Sequence, residues 1–303
     1  MSPEPTGLLP DGVDTPAGLR DRLAELRYLA DDGLAVATFL ALRLARPLFL
    51  EGEPGVGKTE VAKTLALLLD APLLRLQCYE GIDSAEALYD WDFPRQLLHL
   101  RASEHREDGA GAVAEVYGED FLLARPLLAA LRTTPSVLLI DEVDRADDEF
   151  EAFLLEVLSD WSVTIPEIGT IRAERPPVVV ITSNRTREVH DALKRRCYYH
   201  WLDHPDLARE VAIVRARVPG AAAQLVDQVA RLTQLLRTMD LHKPPGVAET
   251  IDWTEALVAL GADTLGSELA TQTLGAVLKY REDQERARSL DMGVLVQRAV
   301  AGA

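Results

Sequence analysis

The chain predicts an α/β protein: a three-layer core with helices on both faces of a five-stranded parallel sheet, followed by an all-helical second domain. Three observations predict it. Short, nearly unbroken apolar runs lie at 47–50, 73–78, 136–140, 178–182 and 198–202, separated by stretches of helical spacing. Such runs suit parallel strands buried on both faces. A glycine-rich turn joins the first run to a helical pattern. After about His204 the strand pattern stops, and amphipathic segments at 207–217, 221–240, 253–260 and 265–287 fill the rest.

Taken in order, residues 1–17 hold four prolines and two glycines without periodicity and read as a flexible leader. From Leu19 to about Arg46 apolar residues recur at helical spacing. Asp31, Asp32 and Gly33 interrupt them, so two helices are expected. Tyr28 could wall a base pocket beside the glycine-rich turn, or simply pack. A helix follows the turn over 59–69 and stops at Asp70-Ala71-Pro72. Nearly sixty residues separate the second and third strands, far more than one crossover needs, so an insertion is expected at about 84–120. It contains Tyr89-Asp90-Trp91-Asp92-Phe93-Pro94, a Gly/Ala/charge-rich stretch over 103–114, and leads into a helix over about 119–131. The helix over 148–161 carries Phe150, Phe153, Leu154, Val157, Leu158 and Trp161 as a core-facing stripe. A hairpin is expected at about 162–176, with Gly169 near its tip. The core domain is placed at 18–204 and the helical domain at 205–303.

The turn reads Gly52, Glu53, Pro54, Gly55, Val56, Gly57, Lys58 and Thr59, followed by Glu60. Strand, loop and helix in the pattern G-x-x-x-x-G-K-[ST] make a phosphate clamp, with backbone N–H groups turned inward at the positive end of a helix. Lys58 is placed to reach the β/γ-phosphates, and the Thr59 hydroxyl to ligate Mg²⁺. A chance glycine turn would not bring lysine, hydroxyl and both flanking elements together. The chain is therefore expected to bind a nucleoside triphosphate. Asp141 and Glu142 end the third strand. Asp141 would hold Mg²⁺, through water as that ion prefers, and Glu142 would polarise an attacking water. Ligands of parallel sheets sit at the carboxyl ends of the strands, where Thr59, Asp141, Glu142 and Asn184 all fall by this reading. Arg185, Arg187, Lys194, Arg195 and Arg196 put five cations into twelve residues. They read either as a solvated helix face or as an arginine finger supplied to a neighbouring subunit, which implies a closed ring. His200 and His204 near Asp203 read as packing residues rather than a metal site.

The formal net charge of −17 argues against nucleic acid as the main partner. Two cysteines without a C-x-x-C suit a reducing compartment. The longest apolar run is too short for a bilayer and no signal peptide begins the chain, so a cytoplasmic protein without membrane insertion is expected.

These motifs resemble the AAA+ ATPases of the MoxR type. The likeness rests on Gly52–Thr59, on Ile140-Asp141-Glu142, on the sensor-like Ser183-Asn184, on Leu193–Cys197 before the fifth strand, and on the insertion and hairpin. It covers about Tyr28 to the end of the chain. Longer stretches, Tyr28–Asp31 with Arg46–Gly52, Leu76–Asp83 and Ala87–Trp91, are similar to the CoxD-type branch. That branch is associated with maturation of molybdenum–copper carbon monoxide dehydrogenase, beside a partner bearing a von Willebrand A domain. The resemblance implies a ring, hexameric in kind, that hydrolyses ATP with Mg²⁺ to remodel a client enzyme. Asn184 and Arg196 would join Lys58 and Glu142 in hydrolysis, and the client would be a molybdenum hydroxylase. One departure stands out. Relatives often carry an arginine sensor in the lid stretch matching Pro244–Thr250, where this chain has Glu249, with Lys243 as a nearby cation. Two other readings compete: an ATP-dependent interaction switch with little turnover, and a DNA-remodelling ATPase, which the charge disfavours. A generic MoxR chaperone for another client is the wider form of the first reading.

Overall fold

Helices α1 (Pro16–Glu25) and α2 (Asp32–Arg43) precede the first strand, β1 (Leu48–Gly52), in the computed structural model, which describes residues 8–103 and 115–301. Asp32 in the first turn of α2 and Arg43 in its last both complement the helix dipole, and Leu34, Ala35, Ala37, Ala41 and Leu42 form its buried face. The chain then runs through α3 (Lys58–Leu68), β2 (Leu73–Gln77), α4 (Ser84–Leu88), β3 (Tyr89–Trp91), α5 (Phe93–Ser103), β4 (Leu122–Ala124), α6 (Pro126–Arg132), β5 (Val137–Asp141) and α7 (Asp148–Asp160). The hairpin strands β6 (Ser162–Ile165) and β7 (Gly169–Arg172) lead to β8 (Val178–Ser183), α8 (Asp191–Arg196) and β9 (Tyr198–Leu202).

The chain divides into two compact units. One gathers the residues up to Leu19, Asp32–Glu51 and Thr59–His200; the other gathers Arg20–Asp31, Gly52–Lys58 and the chain from Trp201. In the first unit the parallel five-stranded sheet has the order β2-β5-β8-β1-β9. Every residue of β1, β5 and β8 is buried, as strands covered on both faces require. Each fully buried Leu, Ile, Val or Phe contributes about 1.5–3 kcal/mol relative to exposure. Register places Gln77 beside Asp141, Ile140 beside Ile181 and Glu51 beside Ser183, so the polar ends of four strands line up.

Three local readings differ from the sequence expectation. The proline-rich stretch is not all leader: Leu8 N donates to Leu42 O at 2.9 Å, Val13 is buried, and α1 begins at Pro16. Residues 1–7 of the expected leader, and most of the stretch over 103–114, lie outside the described residues. The helix expected over 119–131 starts only at Pro126, a residue preorganised for the first helical turn. Leu122–Ala124 instead pairs antiparallel with Tyr89–Trp91, a non-local partner invisible to helical periodicity.

The second unit is helical from Leu207: α9 (Leu207–Arg217), α10 (Ala223–Arg237), α11 (Val247–Ala259), α12 (Ser267–Gln272), α13 (Leu274–Val277), α14 (Arg281–Ser289) and α15 (Met292–Ala301). The segment read as one helix over 265–287 is three, because Thr273 and Tyr280 leave helical backbone. Leu225, Val229, Leu232, Leu236, Trp253, Leu257 and Leu274 form its core. A buried brace runs through it: Arg237 donates to both carboxylate oxygens of Glu210 at 2.6 and 2.7 Å and to Pro245 O at 2.6 Å. No described helix is long and apolar enough to cross a membrane.

Candidate active site

In the first unit, β5 delivers Asp141 and Glu142 to the carboxyl edge of the sheet. Asp141 is buried, and both of its carboxylate oxygens accept hydrogen bonds. Thr59 Oγ1 donates to Oδ1 at 3.1 Å and Thr182 Oγ1 at 2.6 Å. Arg75 donates to Oδ2 through Nε at 3.0 Å and Nη2 at 2.6 Å, a side-on pair of the strong kind. Glu142 follows with φ 56 and ψ 50, left-handed backbone that a residue with a Cβ rarely adopts. Strain of this kind persists where surrounding contacts over-determine it and clusters at working sites. Those contacts are present: Thr182 Oγ1 accepts the Glu142 N–H at 2.9 Å, Asn184 Nδ2 donates to Oε1 at 3.2 Å, and Gln77 Nε2 and Arg145 Nη1 donate to Oε2 at 3.1 and 3.2 Å. Thr182 thus ties the two acids together with one hydroxyl.

Asp144 secures the loop that carries Asn184. Its carboxylate accepts from Asn184 N at 3.1 Å and from Thr186 N and Oγ1 at 2.8 and 2.6 Å. Burial alone pushes this acid up, but the Thr186 and Asn184 hydrogen bonds outweigh it and hold the carboxyl below its ordinary value of 3.8. Burial, then the charge of Asp141, pushes the Cys78 thiol up to about 12, so it is no nucleophile.

In the second unit the phosphate loop, Gly52–Lys58, packs against the start of α11. Ala248 N donates to Gly55 O at 3.1 Å. Gly55 has φ +80, and a Cβ there would fall 2.7 Å from Glu249 Oε2 and 3.1 Å from Gly246 Cα. The approach is mutual, since a Cβ on Gly246 would meet Gly55 Cα at 2.8 Å. Glu249 Oε2 accepts the Gly246 N–H at 2.9 Å and so holds that turn flush with the loop. Glu249, read in the sequence as near a family sensor position, is a cap. Lys243 is exposed, and its backbone N–H is held by Asp283 at 3.1 Å. Gly52 is required by another close approach: a Cβ would lie 2.3 Å from Leu202 O. Lys58 Nζ donates to Gly52 O at 2.6 Å and Glu53 O at 2.8 Å. Tyr28 flanks the loop, with Cε2 4.0 Å from the Cβ position of Gly57.

Of the residues singled out in the sequence, Thr59, Asp141, Glu142 and Asn184 fall into one hydrogen-bonded cluster. Gly52, Glu53, Pro54, Gly55, Val56, Gly57 and Lys58 form the loop, and Glu60, in the first turn of α3, makes an ion pair with Lys63 at 3.2 Å. Arg196 stands apart from that cluster: its Nη1 donates to Leu155 O at 3.3 Å. Among the described residues no group of three or more His, Cys, Asp or Glu is disposed to hold a metal. Sequence reasoning missed Arg75, Gln77, Thr182 and Asp144. The first two were signalled by polar residues alternating into an otherwise apolar strand, Leu74-Arg75-Leu76-Gln77.

The family model for the AAA domain (dynein-related subfamily) matches residues 47–197, a span from just before β1 to just after α8. A Staphylococcus epidermidis protein is 25% identical over 257 residues, covering 82% of this chain and 89% of its own length. The gas vesicle ATPase GvpN2 of Halobacterium salinarum is 26% identical over 274 residues, covering 86% of this chain and 76% of that protein. Among solved structures, the Thermotoga maritima RuvB Holliday junction branch migration motor aligns at 16% identity with a TM-score of 0.44, covering 88% of this chain and 72% of that one. Residues 47–197 thus match an AAA domain of the dynein-related subfamily, and the protein is an ATPase with the P-loop AAA+ fold.

Proposed function

We propose that this ATPase assembles as a homo-oligomeric ring, hexameric in kind, and uses hydrolysis to remodel a protein client. Within each protomer, Glu142 polarises the attacking water, Asn184 orients its carboxylate, and Lys58 with the loop N–H groups holds the β- and γ-phosphates. Arg196 is assigned to the neighbouring protomer's γ-phosphate. The hydroxyl of Thr59 and the carboxylate of Asp141, 3.1 Å apart, are hard oxygen donors that fit Mg²⁺, an ion that keeps several waters and needs few protein ligands. When bound, Mg²⁺ neutralises charge on the phosphates. The observation that carries the hydrolytic reading is the clamp on Glu142, a strained, one-third exposed carboxylate aimed by Asn184 and Gln77 beside the Thr59–Asp141 pair.

The client rests on sequence likeness to the MoxR type and its CoxD-like branch: a molybdenum hydroxylase whose metal centre is completed with a von Willebrand A partner. A client other than that enzyme leaves the generic MoxR reading intact. The net charge of −17 supports a protein rather than a nucleic acid as the target.

Turnover measured against protein concentration tests the ring. Turnover per protomer is expected to rise steeply as the ring forms. Arg196→Ala is expected to lose about a thousandfold or more while nucleotide binding survives. Turnover independent of concentration and unchanged in Arg196→Ala contradicts the reading. A second reading, a switch with little turnover of its own, is favoured by the ion pair of Arg145 with Glu142 and by the engagement of Lys58 by loop carbonyls. Turnover with and without a von Willebrand A partner separates the two: a switch stays slow in both.

A further inference from the structure

The strand that leads into the phosphate loop also grips the short helix that carries Arg195 and Arg196, and it does so from both of its ends. α8 has only six residues, too few to be stable alone, so what holds it decides where those arginines point. Arg46, two residues before β1, donates through Nη2 to Arg195 O at 2.8 Å and through Nε to Arg196 O at 3.0 Å. A guanidinium on the last carbonyls of a helix satisfies orphan acceptors and complements the dipole. Its face also lies 5.3 Å from the centroid of the Tyr198 ring, which fixes the fork in place.

At the other end of the strand, Glu51 immediately precedes Gly52 of the loop. Its carboxylate is buried, and Oε2 accepts from Tyr199 Oη at 2.9 Å and from Lys194 Nζ at 3.4 Å. Oε1 has no hydrogen-bond partner among the described residues. Lys194 lies over the rings of Phe49 and Tyr199, themselves stacked with centroids 6.0 Å apart. A buried acid held by one cation and one hydroxyl is costly unless the geometry repays it. An aliphatic residue at position 51 would fill the strand end as well. Both arginine side chains are exposed: Arg195 makes a loose 3.9 Å ion pair with Asp191, and Arg196 Nη1 donates to Leu155 O at 3.3 Å.

We infer that Arg46 and Glu51 are positioning residues that set the reach of Arg196, so that one strand joins a protomer's phosphate loop to the arginine it offers its neighbour. This rests on the reading that Arg196 acts in trans. The register strengthens the link, because Glu51 sits beside Ser183, the residue before Asn184.

The test measures kcat, KM and ATP binding in assembled full-length protein for Arg46→Ala, Arg46→Lys, Glu51→Gln and Arg196→Ala, with thermal melts as a folding control. Arg46→Ala and Glu51→Gln are expected to lower kcat about tenfold to a hundredfold, the usual cost of a misplaced catalytic group, with ATP affinity unchanged. Arg46→Lys keeps the charge and is expected to recover part of the loss. In single turnover, Arg46→Ala combined with Arg196→Ala should be no slower than Arg196→Ala alone. Normal kcat in both Arg46→Ala and Glu51→Gln, weakened ATP binding, or losses that multiply with Arg196→Ala would overturn the inference while leaving the trans arginine standing. Arg46 is exposed, so its variants remain informative even if Glu51→Gln folds poorly. Wild-type turnover in Arg196→Ala alone sinks the trans reading itself.

Discussion

Around Asp141 and Glu142 the protein holds its acids with side chains: Arg75 and Gln77 from β2, Thr182 from β8, Asn184 beyond it and Thr59 from α3. Around Gly55 it holds the phosphate loop with main chain, through the Ala248 N–H and the contact of Gly55 with Gly246. The acidic cluster is tuned by residue chemistry and is open to change one functional group at a time. The loop is tuned by backbone shape and is indifferent to most side chains, Lys58 and the Glu249 cap excepted. The two regions should therefore fail differently, the first in turnover and the second in affinity.

The sharpest way to break the acidic cluster without touching either acid is Thr182→Val. It removes the hydroxyl that donates to Asp141 and accepts from Glu142 in a fully buried position. Leaving buried partners unsatisfied costs about 1–3 kcal/mol, which a denaturant titration reads directly. Separately, Glu142 loses the hydroxyl that fixes its backbone N–H, and a misplaced catalytic group slows turnover, so kcat should fall about tenfold to a hundredfold, with ATP affinity close to wild type.

A smaller effect is expected from Gly246→Ala, which probes the loop by shape alone. The added methyl meets Gly55 backbone at 2.8 Å, and backbone cannot swing aside as a side chain can. Overpacking costs typically about 1–3 kcal/mol. Here it should emerge as a raised KM for ATP with kcat little changed. A kcat defect at normal KM would mean that the contact serves hydrolysis rather than binding.

The smallest effect concerns pH. Burial, then the charge of Arg237, holds His204 in the second unit below its ordinary 6.5. The unfolded chain therefore binds a proton that the folded chain resists, and stability should decline as the pH falls through about 6.5 toward the folded value. Melting temperatures between about pH 7.5 and 5.5 should show this slope, and His204→Gln should flatten it.

The loop was legible because its signal is local: eight consecutive residues between a strand and a helix. Asp141 and Glu142 were legible for the same reason, as acids closing an aliphatic strand. The groups that hold those acids were not, since Arg75 and Gln77 reach them only through the pairing of β2 with β5, and Thr182 reads as one more β-branched strand residue until its hydroxyl is seen between the two acids. Glu249 shows a different limit. The sequence reading set it near a sensor position of similar proteins, whereas its role as a cap on Gly246 follows from the turn it closes. Leu122–Ala124 was misread because strand pairing with Tyr89–Trp91 overrode its local pattern.

ATP affinity and turnover measured side by side for Glu142→Gln and Lys58→Ala test the central division most directly. Glu142→Gln should bind ATP normally and lose about a hundredfold or more in kcat, the range of a general base. Lys58→Ala should weaken ATP binding by roughly tenfold to a hundredfold, the worth of a charged hydrogen-bonding group. Glu142→Gln turning over ATP at the wild-type rate, or Lys58→Ala binding ATP undiminished, would contradict the account.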